Sequence, residues 1–300
     1  TNSGTLYFSN GLTVADGKTF TNGGGGWYFK GTYLGGTTDN QSILTSGAAT
    51  LQLNGGALYS YNYPPGSQTI TIGSGITVKG YGTIGDGYYG QSWINNGIID
   101  ASTAGQTLYI NPSSFTNNAT VKTSTGNLYI YGGSTTVTNA SSGTLTLAAG
   151  TSATISPASF SNAGSIIANG ATLDLTPTGT YANSGTLALN AGTLNLGGAF
   201  VFADLGSGHF SRAAGTIVNM VSGTLDVGGG TLDIGSAGLF GTGGLNTFAG
   251  TIKNGTLVSG DGTVLKSSSG TLDTITIGSN LSTNSGTLYF SNGLTVADGK

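Results

Sequence analysis

The sequence contains no cysteine and no glutamate, and it has a single histidine and a single methionine. Without cysteine it can form neither a disulfide framework nor a thiolate metal site. Charged residues make up 6% of the chain, whereas an ordinary globular domain has about 25%. The 8 basic residues are scattered, which argues against nucleic acid or an anionic membrane surface as a partner. No apolar run is long enough to predict membrane insertion.

Residues that favour helices are also scarce, and glycine, serine, threonine and asparagine take their place. Glycine alone accounts for 56 of the 300 residues. A disordered, low-complexity chain is therefore one alternative to consider. The hydrophobic fraction of 37% and the recurring Leu-x-Leu alternation favour ordered β-structure instead.

One segment of eighteen residues occurs twice, as TNSGTLYFSNGLTVADGK at 1–18 and again at 283–300. The offset is 282 residues (283 − 1), and an identity of this length does not arise by chance. We interpret residues 1–300 as one continuous solenoid taken from a tandem array with this period. The two segments would then belong to successive repeats, and we expect them to occupy equivalent positions in the fold.

Two shorter periods lie within the long one. Gly-Thr-Leu units recur after seven residues, as at Gly223 and Gly230. An aromatic-x-Asn pattern recurs more slowly, with aromatic residues 22, 45 and 21 residues apart at Trp93, Phe115, Phe160 and Tyr181. Both periods predict an all-β parallel β-solenoid with three faces and about 21–22 residues per coil, or about 13 coils in each long repeat.

Alternation within each strand predicts which side chains face the core. In Gly-Thr-Leu-Asp-Val the aliphatic residues point to one side and the polar residues to the other. Glycine and asparagine would form the corners, because both tolerate positive φ. We expect the leucines of successive coils to stack in the interior: Leu108, Leu128, Leu145, Leu173, Leu187, Leu194, Leu225 and Leu232.

Two regions interrupt the coil pattern, at 23–92 and 197–214, and we expect irregular loops or flaps there. The first region is rich in aromatic residues, which suit lateral protein contacts or sugar rings. The alternative is that these rings cover the backbone of the flaps themselves. Candidate contact residues are Trp27, Tyr28, Phe29, Tyr33, Tyr59, Tyr61, Tyr63, Tyr88 and Tyr89. Farther along, a spacing of twenty residues predicts an outward ladder of Tyr109 and Tyr129.

The sequence offers little for catalysis, and we do not expect an enzyme, a metal site or a cofactor. The single histidine, His209, lies near Asp204 in an irregular stretch, where a surface or packing role is the more common one. Asp226 and Asp233 are seven residues apart, which places them on different faces rather than across a cleft. No phosphate-binding or calcium-loop fingerprint is present.

The segment Phe160-Ser-Asn-Ala-Gly-Ser-Ile166, with Leu173-Asp-Leu175 and Tyr181-Ala-Asn-Ser-Gly-Thr-Leu187, resembles haemagglutinin-type and autotransporter-passenger repeats of bacterial surface proteins. The resemblance covers about two thirds of the chain as a style of repeat, not as alignable identity. It implies a right-handed parallel β-helix that is exported and serves as a stalk, adhesin or filament. The period of 282 residues departs from ordinary passengers and points to a giant protein of near-identical repeats.

We therefore expect a structural repeat of an extracellular or cell-surface fibre, with adjacent repeats of the same chain as its main partners. The alternative is an adhesin that binds glycans or surfaces through its aromatic residues, with neighbouring filaments or surface polysaccharide as partners. A carbohydrate-active β-helix enzyme is the third hypothesis, but the clustered acidic and basic residues of such enzymes have no counterpart here.

Overall fold

The computed structural model describes residues 3–31, 40–61, 68–88, 90–206, 208–284 and 286–299. These residues form a parallel β-solenoid of about 12 turns. The described residues contain one short 3-10 helix, Phe202–Asp204, and otherwise strands and corners. The predicted class of fold is therefore confirmed, although the turns are slightly longer and fewer than the predicted 13.

The first half of the chain forms β1 to β14: Leu6–Phe8, Leu12–Thr13, Thr19–Asn22, Gly26–Lys30, Gln41–Leu44, Ala49–Tyr61, Thr69–Ile72, Ile76–Tyr88, Ser92–Asn95, Ile98–Ala101, Thr107–Asn111, Ser114–Asn117, Thr120–Thr123 and Asn127–Asn139. The second half forms β15 to β28: Thr144–Leu147, Ser152–Asn162, Ser165–Leu175, Tyr181–Asn183, Thr186–Leu196, Ala199–Val201, Phe210–Arg212, Ile217–Met220, Thr224–Asp226, Thr231–Asp233, Thr247–Phe248, Thr251–Val258, Ser269–Ile277 and Thr287–Val296.

Most strands pair in parallel with the strand one turn later, and the registers define three faces. On face 1, β21 pairs, within the described ranges, only with the preceding strand β19. Face 1 contains β3, β10, β13 and β15. Face 2 contains β1, β4, β11 and β22. Face 3 contains β2, β5, β7, β9 and β12. Long strands such as β6, β8, β14 and β19 turn a corner and contribute to two faces.

The alternation of residues produces continuous apolar columns inside the solenoid. On face 2, successive pairs link Leu6, Trp27, Leu58, Ile84, Ile110, Ile130, Ile155, Leu175, Leu196, Met220 and Phe248. From Trp27 onward every member of this column is buried. The eight leucines expected in the interior are buried as well. Each turn covers the apolar edge of its neighbour, so the core is one spine rather than a central cluster.

The asparagines of the aromatic-x-Asn pattern are expected at corners because asparagine tolerates positive φ. In the structure they recur because their side chains bond to one another from turn to turn. Asn95, Asn117, Asn139, Asn162 and Asn183 form a buried column on face 3. Each side-chain amide donates to the Oδ1 of the next asparagine, over distances of 2.8, 2.8, 2.7 and 2.7 Å. We call these five residues the asparagine ladder.

Positive φ does not explain the ladder, because none of its members has it. Among the described residues, the only non-glycine residues with positive φ are Asn254, Thr274 and Asn292. The ladder amides instead satisfy corner backbone groups: Asn95 Oδ1 accepts from Gly97 N, and Asn95 Nδ2 donates to Thr120 O. Asparagine is required here because its side chain is both donor and acceptor.

In 23–92 the described residues keep the coil pattern, and the stretches 32–39, 62–67 and 89 lie outside them, so loops or flaps there stay a prediction. Strands β4 to β9 continue the stack in register through this region. Bulky aromatic residues obscured the pattern because they occupy interior positions that aliphatic residues fill elsewhere. The second region, 197–214, is irregular as predicted, since the 3-10 helix separates β20 from β21.

The second region is anchored by two polar side chains. Buried Asp204 accepts hydrogen bonds from Asn183 N at 2.9 Å and Val201 N at 2.8 Å. Arg212 donates to Phe240 O at 3.1 Å and Gly244 O at 2.8 Å, which ties β21 to the long connection between β24 and β25. Burial lowers the pKa of Arg212.

The two copies of the repeated segment do not lie on the same face. In the first copy, Leu6 to Phe8 pair with β4 on face 2. In the second copy, Leu288 and Phe290 pair with β27 in the stack that contains β20, β23 and β26. Ala199 at the start of β20 bridges to Thr180, beside β18 of face 3. The first strands of the two copies therefore lie on neighbouring faces, and the expectation that the copies occupy equivalent positions is wrong.

The difference has a simple physical origin. In the described structure the first copy takes its register from strands that follow it, and the second takes its register from a strand that precedes it. Identical sequences can therefore occupy different faces, since three faces of similar composition offer similar neighbours. Both copies pass through an Asn-Gly corner to the next face. The first copy does so between two strands, β1 and β2, and the second within the continuous strand β28.

Candidate functional site

The structure divides the predicted aromatic contact residues into two groups. Trp27 and Phe29 are completely buried on face 2 and cannot make lateral contacts, which corrects that prediction. Alternation in β4 is the reason, since the two rings point inward while Tyr28 between them points outward. Tyr33, Tyr63 and Tyr89 lie outside the described residues, and Tyr88 is described only as the last residue of β8.

The outward tyrosines converge on face 2. Seven tyrosines from five turns form one surface, which we call the tyrosine patch: Tyr7, Tyr28, Tyr59, Tyr61, Tyr109, Tyr129 and Tyr131. Tyr28 is stacked on Tyr7, with ring centroids 5.4 Å apart, and lies 5.3 Å from Tyr59. Tyr109 pairs in register with Tyr129, as the twenty-residue spacing predicts, with centroids 6.1 Å apart.

The middle of the patch is a shallow step without a tyrosine. Tyr59 pairs with Gly85, and Gly85 pairs with Asn111 of the next turn. The Asn111 side chain lies over this glycine, because a Cβ at Gly85 would be 1.9 Å from Asn111 Oδ1. Asn111 Nδ2 donates to the Tyr131 hydroxyl at 3.2 Å, so an amide connects the two halves of the patch.

The patch is aromatic and weakly charged. Lys30 Nζ lies 6.0 Å from the Tyr7 ring centroid, which is within cation–π range. Burial raises the pKa of Tyr59, and the neighbouring hydroxyls of Tyr28 and Tyr131 raise it further. Tyr59 therefore keeps its proton at physiological pH, and the patch presents ring faces together with hydroxyl donors and acceptors. Such a surface can stack on apolar ring faces and bind hydroxyl groups.

Beyond the tyrosines the same face becomes a polar ladder. Thr154, Asp174, Asn195 and Asn219 continue the column of Tyr109 and Tyr129. Asn195 Nδ2 donates to Asp174 Oδ1 at 2.6 Å, and Asn219 Nδ2 donates to Asn195 Oδ1 at 2.8 Å. Sequence reasoning missed this ladder, although the shared offset of 21 residues between Asp174 and Asn195 could have indicated it.

The polar residues weighed for catalysis are engaged in structural contacts. His209 Nδ1 lies 2.7 Å from Gly185 O. Asp226 lies 3.3 Å from Lys253 Nζ, and Asp233 Oδ1 accepts from Gly235 N at 2.8 Å. The two aspartates lie on different faces, since β23 and β24 pair with different parts of β26.

The surface of the described chain has open clefts of about 350 to 510 Å³, lined mainly by small polar and apolar side chains. Within the described ranges no group of three or more His, Cys, Asp or Glu side chains could hold a metal ion. A gap in the core between Phe115 and Phe160 has a volume of about 10 Å³, which is room for one water at most. The tyrosine patch is therefore the strongest candidate for an external contact.

In comparisons with known proteins, the chain matches no family model, no curated protein and no solved structure. Across the part of the chain that the structure describes, no helix has the length and apolar character needed to cross a membrane.

Proposed function

We propose that this chain is a structural repeat of an extracellular or cell-surface fibre, in which successive 282-residue copies continue one solenoid. The observation that carries the proposal is the face 2 column, which runs in register from Leu6 to Phe248. A spine of this kind has no intrinsic length limit, because each turn presents to the next the same edge that it received. Haemagglutinin-type surface repeats offer the nearest functional analogy.

The chemistry of the surface agrees with a load-bearing extracellular role. Neutral amide and hydroxyl ladders replace ion pairs along the outside, as in the pair Asn190–Asn169 at 2.9 Å. The described residues contain two ion pairs, Lys122–Asp100 and Lys253–Asp226. Contacts between neutral groups depend little on ionic strength. A fibre held by such contacts keeps its cohesion when salt and pH vary outside the cell.

Chains of one, two and three periods test the fibre hypothesis. Electron microscopy of the purified chains should show unbranched rods that lengthen by roughly 60 Å with each added period, given a strand spacing of about 4.8 Å. Immunogold labelling of intact cells should place the repeat on external filaments. Separate globules joined by linkers, or labelling confined to the cell interior, would contradict the proposal.

The tyrosine patch supports a second candidate function, adhesion to glycans or to neighbouring filaments. A polysaccharide-binding assay with Tyr28→Ser/Tyr129→Ser tests it, because both side chains point outward and their loss leaves the core intact. In the 300-residue chain, Tyr289→Ser is the matched control, since Tyr289 is exposed but lies away from the patch of that chain. Adhesion predicts that binding is lost in the double variant and kept in the control. Equal binding by both variants would exclude the patch as the contact site.

A further inference from the structure

The second copy of the repeated segment has one apolar edge without a partner strand. Its strand β28 pairs with β27 and, among the residues that the structure describes, with no other strand. Phe290, Leu294 and Val296 occupy inward positions of this turn, yet they are 52%, 41% and 51% exposed. An edge that is both unpaired and apolar is a template for another strand.

The first copy shows which sequence covers that edge. Its equivalent residues are Phe8, Leu12 and Val14, 282 positions earlier. Phe8 pairs with Phe29, with ring centroids 5.0 Å apart, and Leu12 pairs with Ile43. Val14 is only 6% exposed. The partners that fit β28 are therefore strands equivalent to β4 and β5, which in a tandem array come next in the same copy.

The corner of the segment has a glycine with positive φ in both copies, Gly11 at 81° and Gly293 at 110°, although Asn292 has positive φ and Asn10 does not. A Cβ at Gly11 would lie 2.6 Å from Ser42 O, and the strand equivalent to β5 would make the same approach to Gly293. Only glycine combines this conformation with this approach.

The positions of the two copies fix how successive repeats are related. The chain passes from face 2 to face 3 to face 1 in each turn. The first copy begins on face 2 and the second begins on face 3. One period therefore contains about 12 turns and one additional face.

We infer that in the tandem array the second copy continues by pairing its strands equivalent to β4 and β5 with β28, and that each copy is thereby advanced by one face, a third of a turn. This inference rests on the proposed tandem fibre. The tyrosine patch of each copy then lies on a different side of the fibre from the patch of the preceding copy. Three copies present their patches on all three faces, so the fibre has no single adhesive side.

Engineered cysteine pairs in the 300-residue chain test the register, because the chain has no cysteine of its own. Thr271 and Tyr289 are direct neighbours on adjacent strands, at a separation that suits a disulfide. We expect Thr271→Cys/Tyr289→Cys to crosslink under mild oxidation. Ser268→Cys/Tyr289→Cys is the competing pair. Phe248, at the end of the Leu6 column, bridges to Ser267, so Ser268 would be the neighbour of Tyr289 if the second copy lay on face 2.

The pair Tyr7→Cys/Tyr28→Cys is the positive control, since these residues are neighbours in the first copy. Crosslinking of the Ser268 pair, or of neither Tyr289 pair while the control forms, would overturn the inference. A three-dimensional image of a three-period chain completes the test, with patches expected on three sides. A straight rod with all patches on one side refutes the advance and leaves the fibre proposal standing, whereas the absence of a rod refutes the fibre proposal.

Discussion

Replacing Asn139 with alanine should destabilise the solenoid far more than the loss of one surface amide. Asn139 accepts from Asn117 at 2.8 Å and donates to Asn162 at 2.7 Å, and all three side chains are buried. Asn139→Ala removes both bonds and leaves a buried donor and a buried acceptor without these partners. Each unsatisfied group costs about 1–3 kcal/mol, so the two together predict a loss of about 2–6 kcal/mol.

Asn190→Ala is the matched control, because Asn190 donates an equivalent amide–amide bond to Asn169 at the surface, where water replaces the lost partner. We expect a change below about 0.5 kcal/mol for this variant. Hydrogen-exchange mass spectrometry is the suitable assay, since a repeat structure can open locally without global unfolding. Protection should fall in 114–123 and 159–168 for Asn139→Ala only. Equal effects of the two variants would refute the idea that the buried ladder stabilises the stack.

Three further predictions concern single side chains. The Tyr181 hydroxyl is buried without a hydrogen-bond partner, so Tyr181→Phe should leave the unfolding free energy unchanged or raise it by up to about 1 kcal/mol in urea titrations; a loss above 1 kcal/mol would contradict this. Burial raises the pKa of both Tyr181 and Tyr59 above the usual 10.0. The free energy of unfolding should therefore be constant up to about that pH and fall as pH rises further, with a smaller fall in Tyr181→Phe. The same pH dependence in the variant and the original chain would refute the role of Tyr181. Arg212→Met should cost about 2–4 kcal/mol and increase exchange near Phe240, whereas the control Lys253→Met, at an exposed ion pair, should cost less than about 1 kcal/mol.

The class of fold could be predicted because it depends on local alternation. Leu173 and Leu187 are apolar in polar surroundings, and the two-residue period of a strand decides that they face inward. The roles of aromatic residues were harder to predict. Trp27 and Phe29 differ from Tyr28 only in strand parity, and a run of three rings hides that parity unless the register is known.

The asparagine ladder and the placement of the two copies could not be predicted from single positions. A ladder amide such as Asn139 has no local signal that distinguishes it from a corner asparagine, because its function depends on the amides of adjacent turns. The face on which Leu288 lies depends on the summed length of all the preceding turns. Miscounting one corner over about 12 turns is enough to assign Leu288 to the wrong face.

Distances between paired spin labels test the central claim, a single in-register spine, most directly. With one label at Thr83, the column of outward positions passes through Tyr109, Tyr129 and Thr154 to Asn195 and Thr247. Asn195 is five strands away and Thr247 is seven, so we expect separations of roughly 24 and 34 Å between the labelled backbones, at about 4.8 Å per strand. Proportional growth of the distance with strand number is the predicted result, and a Thr83–Thr247 distance no longer than the Thr83–Asn195 distance would contradict the account.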